Sequence, residues 1–334
     1  MLADTASPLP GTTSPYFAFV MNLKSFLSLI ILAALWGASF LFIRVGVAEF
    51  GPAALMALRV SIAAVLLLIV LGSRNGLSGL QSLRTHAGPL FVVGVLNSAA
   101  PFCLFAIAEQ TLSAGLTSVI NATTPLWGAL VAFVWLKETL SPSRVAGMAL
   151  GFGGVLVLVW YQIEVPASGV SGADSSGASA PLHSVLAASA ALGATFLYGI
   201  AANYTKRALT GVPPLVVATG SMTGASVALL PFALLNWPAA AVSVRGWGAV
   251  ICMAVACTAL AYLMYFRLIA KAGPAAAMSV TFLIPVFGIL WGNLFLAEPV
   301  SPALGAGVAL VLAGTALATG LLQKLWPRRA PDTA

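Results

Sequence analysis

One pattern occurs twice in this chain, about 160 residues apart. Pro125-Leu-Trp, Leu136-Lys-Glu138, Ser141-Pro142, Gly147 and Gly154 return with unchanged spacing as Pro285-Val-Phe, Leu296-Ala-Glu298, Ser301-Pro302, Gly307 and Gly314. A chain made from two copies of one unit is constrained to an architecture in which two like halves pack on each other. Both copies lie in nearly uninterrupted apolar sequence, so the repeated unit is a set of helices that do not face water. The chain of 334 residues is 60% hydrophobic and 7% charged, with a mean hydropathy of +1.03. A soluble protein carries roughly a quarter of its residues as charges. The solvent for this sequence is therefore a bilayer, and the fold class expected is an all-α integral membrane protein.

Counting apolar runs against the roughly 20 residues that about 30 Å of hydrocarbon requires gives ten helices. They fall near 25–47, 51–71, 88–109, 113–136, 144–161, 183–205, 213–235, 246–269, 273–297 and 301–322. Residues 1–22, rich in Pro, Ser and Thr, lack the basic start of a signal peptide. They are expected to form a disordered tail, with Met21 the more natural start. The domains expected are a first repeat at 23–161, a flexible external linker at 162–181, a second repeat at 182–322 and a cytoplasmic tail at 323–334. The linker is Gly/Ser/Ala-rich and acidic, a composition that gives a flexible tether.

The net charge of +7 is spread as single basic residues between apolar runs, which excludes a nucleic-acid patch and fits the cytoplasmic excess of Lys and Arg. With ten crossings and an inner N-terminus, Lys24, Arg74, Arg84, Lys137, Arg144 and Lys206 fall inside. So do Arg207, Arg267, Lys271, Lys324, Arg328 and Arg329, whereas only Arg44 and Arg245 fall outside. Both termini are thus expected in the cytoplasm of a cell whose plasma membrane (the inner membrane of a bacterium) holds the chain. Because five helices per half is odd, the second half is inverted, with Glu138 at the inner face and Glu298 at the outer. Inverted repeats of this kind support alternating access.

Pro125 and Pro285 sit in mid-span, where a proline frees the carbonyl four residues earlier, at Asn121 and Thr281. In hydrocarbon such a group needs water, a side chain or a ligand. The pair marks either a substrate site or two structural kinks. Arg59 is the basic residue well inside a span; its burial costs about 2.5–3.5 kcal/mol on insertion scales. It is either a counter-ion for a substrate carboxylate or a brace for helix ends. Glu109, at the outer end of the third helix, is the carboxylate best suited to proton coupling, or else a solvated helix-end acid. Glu138 and Glu298 precede Ser-Pro pairs in which Ser141 and Ser301 are N-caps with proline at the first helical position, and are expected to stabilise loops. Other polar or aromatic residues deep in the spans are Trp36, Ser39, Asn97, Tyr198, Thr258 and Tyr262, with Ser98, Trp127, Tyr265 and Trp291 near them. Together they describe an amphipathic pocket for a small zwitterion or an aromatic-bearing solute. The glycine series Gly147-xxx-Gly151 and Gly305-xxx-Ala309-xxx-Ala313 allows close helix contact, within the fold or between two copies as a homodimer.

Leu35-Trp-Gly-Ala-Ser-Phe40 and Leu192-Gly-Ala-Thr-Phe196 read as paired openings of one repeat, and Ala57-Leu-Arg59 follows the first. With the Pro-to-Glu helices and the glycine-rich helices after them, residues 25 to 322 resemble a ten-helix EamA-type member of the drug/metabolite transporter superfamily. The resemblance implies export, or sometimes uptake, of amino acids or similar metabolites through a cavity lined by helices 1, 3, 4, 6, 8 and 9. An enzyme is disfavoured: His86 and His183 lie at helix edges, and neither HExxH nor GxSxG occurs. The cysteines, Cys103, Cys252 and Cys257, form no metal-binding pair. No phosphate-binding loop, cofactor or metal is implied. The competing function is a passive channel or a non-transporting membrane scaffold.

Overall fold

The computed structural model describes residues 23–164 and 180–320. The expected N-terminal tail, most of the linker and the C-terminal tail lie outside them. All regular structure among the described residues is helical, because in hydrocarbon an isolated segment satisfies its own backbone only as a helix. The spans are α1 (23–50), α2 (52–75), α3 (Ala87–Ala108), α4 (Ala114–Leu136), α5 (Pro142–Glu164), α6 (Ala180–Ala208), α7 (Pro214–Leu235), α8 (244–272), α9 (274–296) and α10 (Pro302–Ala318). This is an all-α membrane protein of two inverted five-helix repeats.

Two boundaries are backbone reversals with hardly any loop. Gly51 adopts φ 70°, ψ 166° between α1 and α2, and Gly273 adopts φ 85°, ψ 163° between α8 and α9. Only glycine takes such angles without steric cost, and the proline that follows each one opens the next helix. Ser301 caps α10 by accepting from Leu304 N at 3.1 Å. Ser141 does not repeat this cap; its hydroxyl meets Ser143 Oγ at 3.0 Å.

The repeated glycines join the two halves. Gly147 and Gly154 of α5 face α10, and Gly307 and Gly314 of α10 face α5. The contact series differs from the one expected: Gly305 points into open space, and Gly307–Val311–Gly314 forms the seam. Beside it, Thr315 of α10 donates to the carbonyl of Ala122 in α4 at 3.0 Å. The outward surface is apolar, with Leu156, Trp160, Leu294 and Phe295 each more than half exposed. In water that would be a liability; against lipid chains it is the normal state.

Two further irregularities were not legible beforehand. The α-helical pattern of α3 widens to a π-bulge at Val95–Ala99, and that of α8 does so at Val255–Leu260, in matching places of the two repeats. Such bulges insert one residue per turn and cluster at functional sites.

Candidate functional site

A cavity of about 460 Å³ occupies the middle of the bundle and takes its lining from every span except α5 and α10. Relative to the resemblance, α2 and α7 are additions, supplying Arg59 and Ser221. Of the residues singled out from sequence, Trp36, Ser39, Arg59, Asn97, Asn121, Tyr198, Tyr262 and Thr281 line it. Thr258 lies just behind, fully buried. Pro125 and Pro285 do not line it, and neither does Glu109.

The local reason differs for the two prolines. α4 is broken rather than kinked: Ala114–Asn121 ends, Thr124–Leu136 begins, and Pro125 sits in the first turn of the second piece. Pro125 has no N–H to offer the Asn121 carbonyl, which is met instead by Thr124 Oγ1 at 2.8 Å. What the break contributes is side chains, Asn121 and Thr124, turned into the cavity. In α9 the interruption precedes Val280, ahead of Pro285, and Thr281 follows it by one residue.

Arg59 is 5% exposed. Its Nε donates to Thr258 Oγ1 at 3.0 Å, and its guanidinium carbon lies 4.0 Å from the centre of the Phe102 ring. Thr258 in turn donates to Met253 O at 2.9 Å, satisfying a carbonyl that the α8 bulge displaces. Thus the π-bulge holds the threonine, the threonine holds Nε, and the ring flanks the cation. The terminal N–H groups of Arg59 have no protein acceptor among the described residues. In the matching bulge of α3, Asn97 Nδ2 donates to Tyr262 OH at 3.3 Å. Trp36 lies 5.2 Å from Tyr265 and 6.4 Å from Tyr262, giving an aromatic wall. Ser39 adds a buried hydroxyl without a partner. Phe102 and Ser221 were missed from sequence: a phenylalanine or serine in an apolar span carries no signal of what faces it.

Glu109 is fully buried, and neither carboxyl oxygen has a hydrogen-bond partner. It is therefore not a solvated helix-end acid. Its backbone carbonyl accepts from Arg44, and its side chain lies within electrostatic reach of Arg44, Arg59 and Glu298 without forming a salt bridge.

The twin glutamates occupy different environments. Glu298 Oε1 and Oε2 accept from Ala114 N at 2.8 Å and Gly115 N at 3.1 Å, capping the start of α4 from α9's end. A carboxylate there answers the partial positive charge of a helix start. Gly292 makes the space, since a Cβ on it would lie 2.3 Å from Glu298 Oε2. Glu138, by contrast, is exposed and pairs with Lys206 at 2.9 Å. Beside the Glu298 cap, Glu49 accepts from Ser243 N at 2.6 Å and Ser243 Oγ at 2.7 Å, tying α1's end to α8's start. The Glu298 and Glu49 ties lie at the face where α1 ends, and the Glu138–Lys206 pair at the face where it begins. Towards the face where α1 begins, the cavity continues past Thr205, Val217 and Ser221. The halves are thus alike in sequence and unlike in conformation.

Comparison with known proteins agrees with the architecture. The model of the EamA-like transporter family matches residues 23–160 and 185–320, one match per repeat. An uncharacterized transporter of Archaeoglobus fulgidus is 25% identical over 294 residues, spanning 87% of this chain and 97% of its own length. The transporter YvbV of Bacillus subtilis is 27% identical over 303 residues, with 88% and 91% covered. A protein of Streptantibioticus cattleyicolor named "Probable terminal-alkyne amino-acid exporter" is 25% identical over 297 residues, with 88% and 93% covered. A solved crystal structure superposes with a TM-score of 0.61 at 21% identity, covering 91% of this chain and 99% of the other, and shares its fold. With both halves matched over nearly their full length, this chain belongs to the EamA-like transporter family.

Proposed function

We propose that the protein is a secondary active transporter that exports a small carboxylate-bearing metabolite of the amino-acid class by alternating access. The Arg59 geometry carries this reading. A guanidinium fixed through Nε, with its remaining donors turned to a cavity, is arranged for a carboxylate. The aromatic wall of Trp36, Tyr262 and Tyr265 suits the apolar part of the same solute, and Asn97, Asn121 and Ser39 offer hydrogen bonds to its amino end. Export, with both termini in the cytoplasm of a plasma-membrane protein, is supported by the basic-residue bias and by the exporter name of one relative. In that orientation the cavity extends to the cytoplasm and the Glu298 cap closes the outer side.

Counterflow in proteoliposomes tests the reading. Amino acid trapped inside is expected to accelerate uptake of labelled amino acid from outside, because a carrier returns faster when loaded. Linear, unsaturable flux without exchange would instead identify a passive pore. Purified protein should also melt at a higher temperature with its own substrate than with polyamines or nucleosides, since a ligand of the folded state stabilises it by mass action.

The unlike twins supply the switch. Inverting the halves brings Glu138 to the start of α9 at 274, the counterpart of α4's start at 114, and releases Glu298. Glu298→Gln removes the charge from the outer cap, a loss of about 1 kcal/mol for a partly buried helix-start carboxylate, or about fivefold in the balance of states. Thr205→Cys, on the cytoplasmic side of the cavity, is then expected to react with a maleimide more slowly in the Glu298→Gln background, by up to about fivefold. An unchanged rate would show that the cap does not bias the state.

Glu109 is the described acid buried without a partner, the condition in which gaining or losing a proton matters most to the fold around it. Coupling through it predicts that Glu109→Gln keeps counterflow while losing accumulation driven by a pH gradient, by tenfold or more. Equal loss of both activities would assign Glu109 a purely structural role.

A further inference from the structure

On the opposite face of α8 from the cavity lies a second depression, of about 380 Å³, between α8 and the first turns of α1. Its rim carries Lys24 of α1 with Arg267 and Lys271 of α8, all three exposed. None has an acidic partner among the described residues, where the one ion pair is Lys206–Glu138. Arg267 and Lys271 are four apart on one helix, an arrangement of like charges that destabilises unless an anion answers it. Ser25 and Ser28 of α1 add two hydroxyls, and the remainder is apolar: Leu260, Met264 and Leu268 continue the same stripe of α8 at helical spacing. Cavity residues Tyr262, Tyr265 and Phe266 occupy the other side of that helix. From Lys271 to Leu260 the helix rises about 16 Å at 1.5 Å per residue, which matches one leaflet's half of a roughly 30 Å hydrocarbon core.

We propose that this groove is a binding site for one anionic phospholipid of the leaflet at the face where α1 begins. The phosphate sits among Lys24, Arg267 and Lys271. One acyl chain follows Leu268, Met264 and Leu260 towards mid-membrane. Leu260 is 46% exposed, so the lower groove is open to chains from the side. A neutral or zwitterionic lipid meets the same apolar stripe but leaves the net charge of the rim unanswered. Because α1 and α8 both flank the central cavity, the lipid would clamp two moving parts of the carrier. The site itself requires only the membrane orientation given above and not the identity of the transported solute.

Native mass spectrometry of the full-length detergent-released protein, titrated with phosphatidylglycerol, phosphatidylcholine and free glycerol phosphate, tests the site. Phosphatidylglycerol is expected to remain as a single tight adduct, with the other two weaker by tenfold or more. Each basic residue near a membrane surface contributes about fivefold in affinity. K271Q alone should therefore weaken the adduct about fivefold, and K24Q/R267Q/K271Q on the order of a hundredfold. Melting temperature in lipid-free detergent monitors folding, and if the triple variant fails to fold, the single K271Q decides. Equal retention of phosphatidylcholine would reduce the groove to an apolar contact. Glycerol phosphate binding as tightly as the lipid would make it a site for soluble phosphate esters. The absence of any adduct at saturation would mean that another part of the chain fills it. Any of these three results overturns the proposal, while counterflow reads the central cavity separately.

Discussion

Gly314→Leu is expected to abolish recovery of folded protein. A Cβ at position 314 would lie 2.3 Å from Gly151 N and 2.5 Å from Gly147 O, and one at 147 would lie 2.5 Å from Ala318 N. These are backbone atoms of a facing helix, which cannot rotate aside as a side chain can. In lipid there is little hydrophobic drive to press helices together, so close backbone packing is itself the cohesive term. Holding α5 and α10 apart removes that packing, and shifting α10 strains the Thr315 bond to Ala122 of α4 as well. Overpacking typically costs about 1–3 kcal/mol, and a clash with fixed backbone belongs at or above the upper end. Against a net stability of about 5–15 kcal/mol, the loss is large. Size-exclusion profiles and melting curves in detergent measure it. Gly305→Leu, whose Cβ meets nothing within 4 Å, is the control and should behave as wild type. A Gly314→Leu protein with an unchanged melting curve would show that the repeats are not joined at this seam.

That seam also marks how far sequence alone reaches. Spacing identified the glycines 147, 154, 307 and 314 as a repeated set, because a duplicated unit keeps what its packing needs. It could not tell that Gly305 faces away, since several small residues share each turn of α10 and the choice of face is made by α5. The spans were legible because their cause is local: an apolar run of sufficient length has one way to satisfy its backbone in lipid. The paired π-bulges were not, for each needs one extra residue in a turn and no particular composition. The fate of the carboxylates was equally hidden. Glu109 looks on paper like any helix-end acid, and its burial is decided by elements elsewhere in the chain. Identical spacing around Glu138 and Glu298 even argued for identical roles, whereas Glu298 caps the start of α4 and Glu138 is exposed against Lys206. Arg59 stood out because a lone cation in a span is costly; that Thr258 and Phe102 would receive it is a tertiary fact.

The same residue gives the largest expected effect on transport. Arg59→Gln should reduce kcat/KM for a carboxylate substrate by more than a hundredfold while the protein still folds. A hydrogen bond to a charged group contributes about 1.5–3 kcal/mol, and a guanidinium can make two to one carboxylate. Their joint loss, about 3 kcal/mol or more, is over a hundredfold. The neutral amide also removes a buried charge, so stability should hold or rise. Arg59→Lys keeps the charge but loses the planar fork and the Nε bond to Thr258 (3.0 Å in the native protein); a tenfold rise in KM with near-normal kcat is expected. Thr258→Val leaves the arginine but takes away the atom that aims it, and should fall between the two. A brace for helix ends would show a different signature. It would lower melting temperature and kcat for every solute alike, whereas a carboxylate receptor loses its preference for the acid over the corresponding amide. Comparing the acid and its amide as competitors of counterflow therefore separates the roles. If Arg59→Gln still folds and keeps the native preference for the acid, the carboxylate is recognised elsewhere in the cavity and Arg59 serves the fold alone.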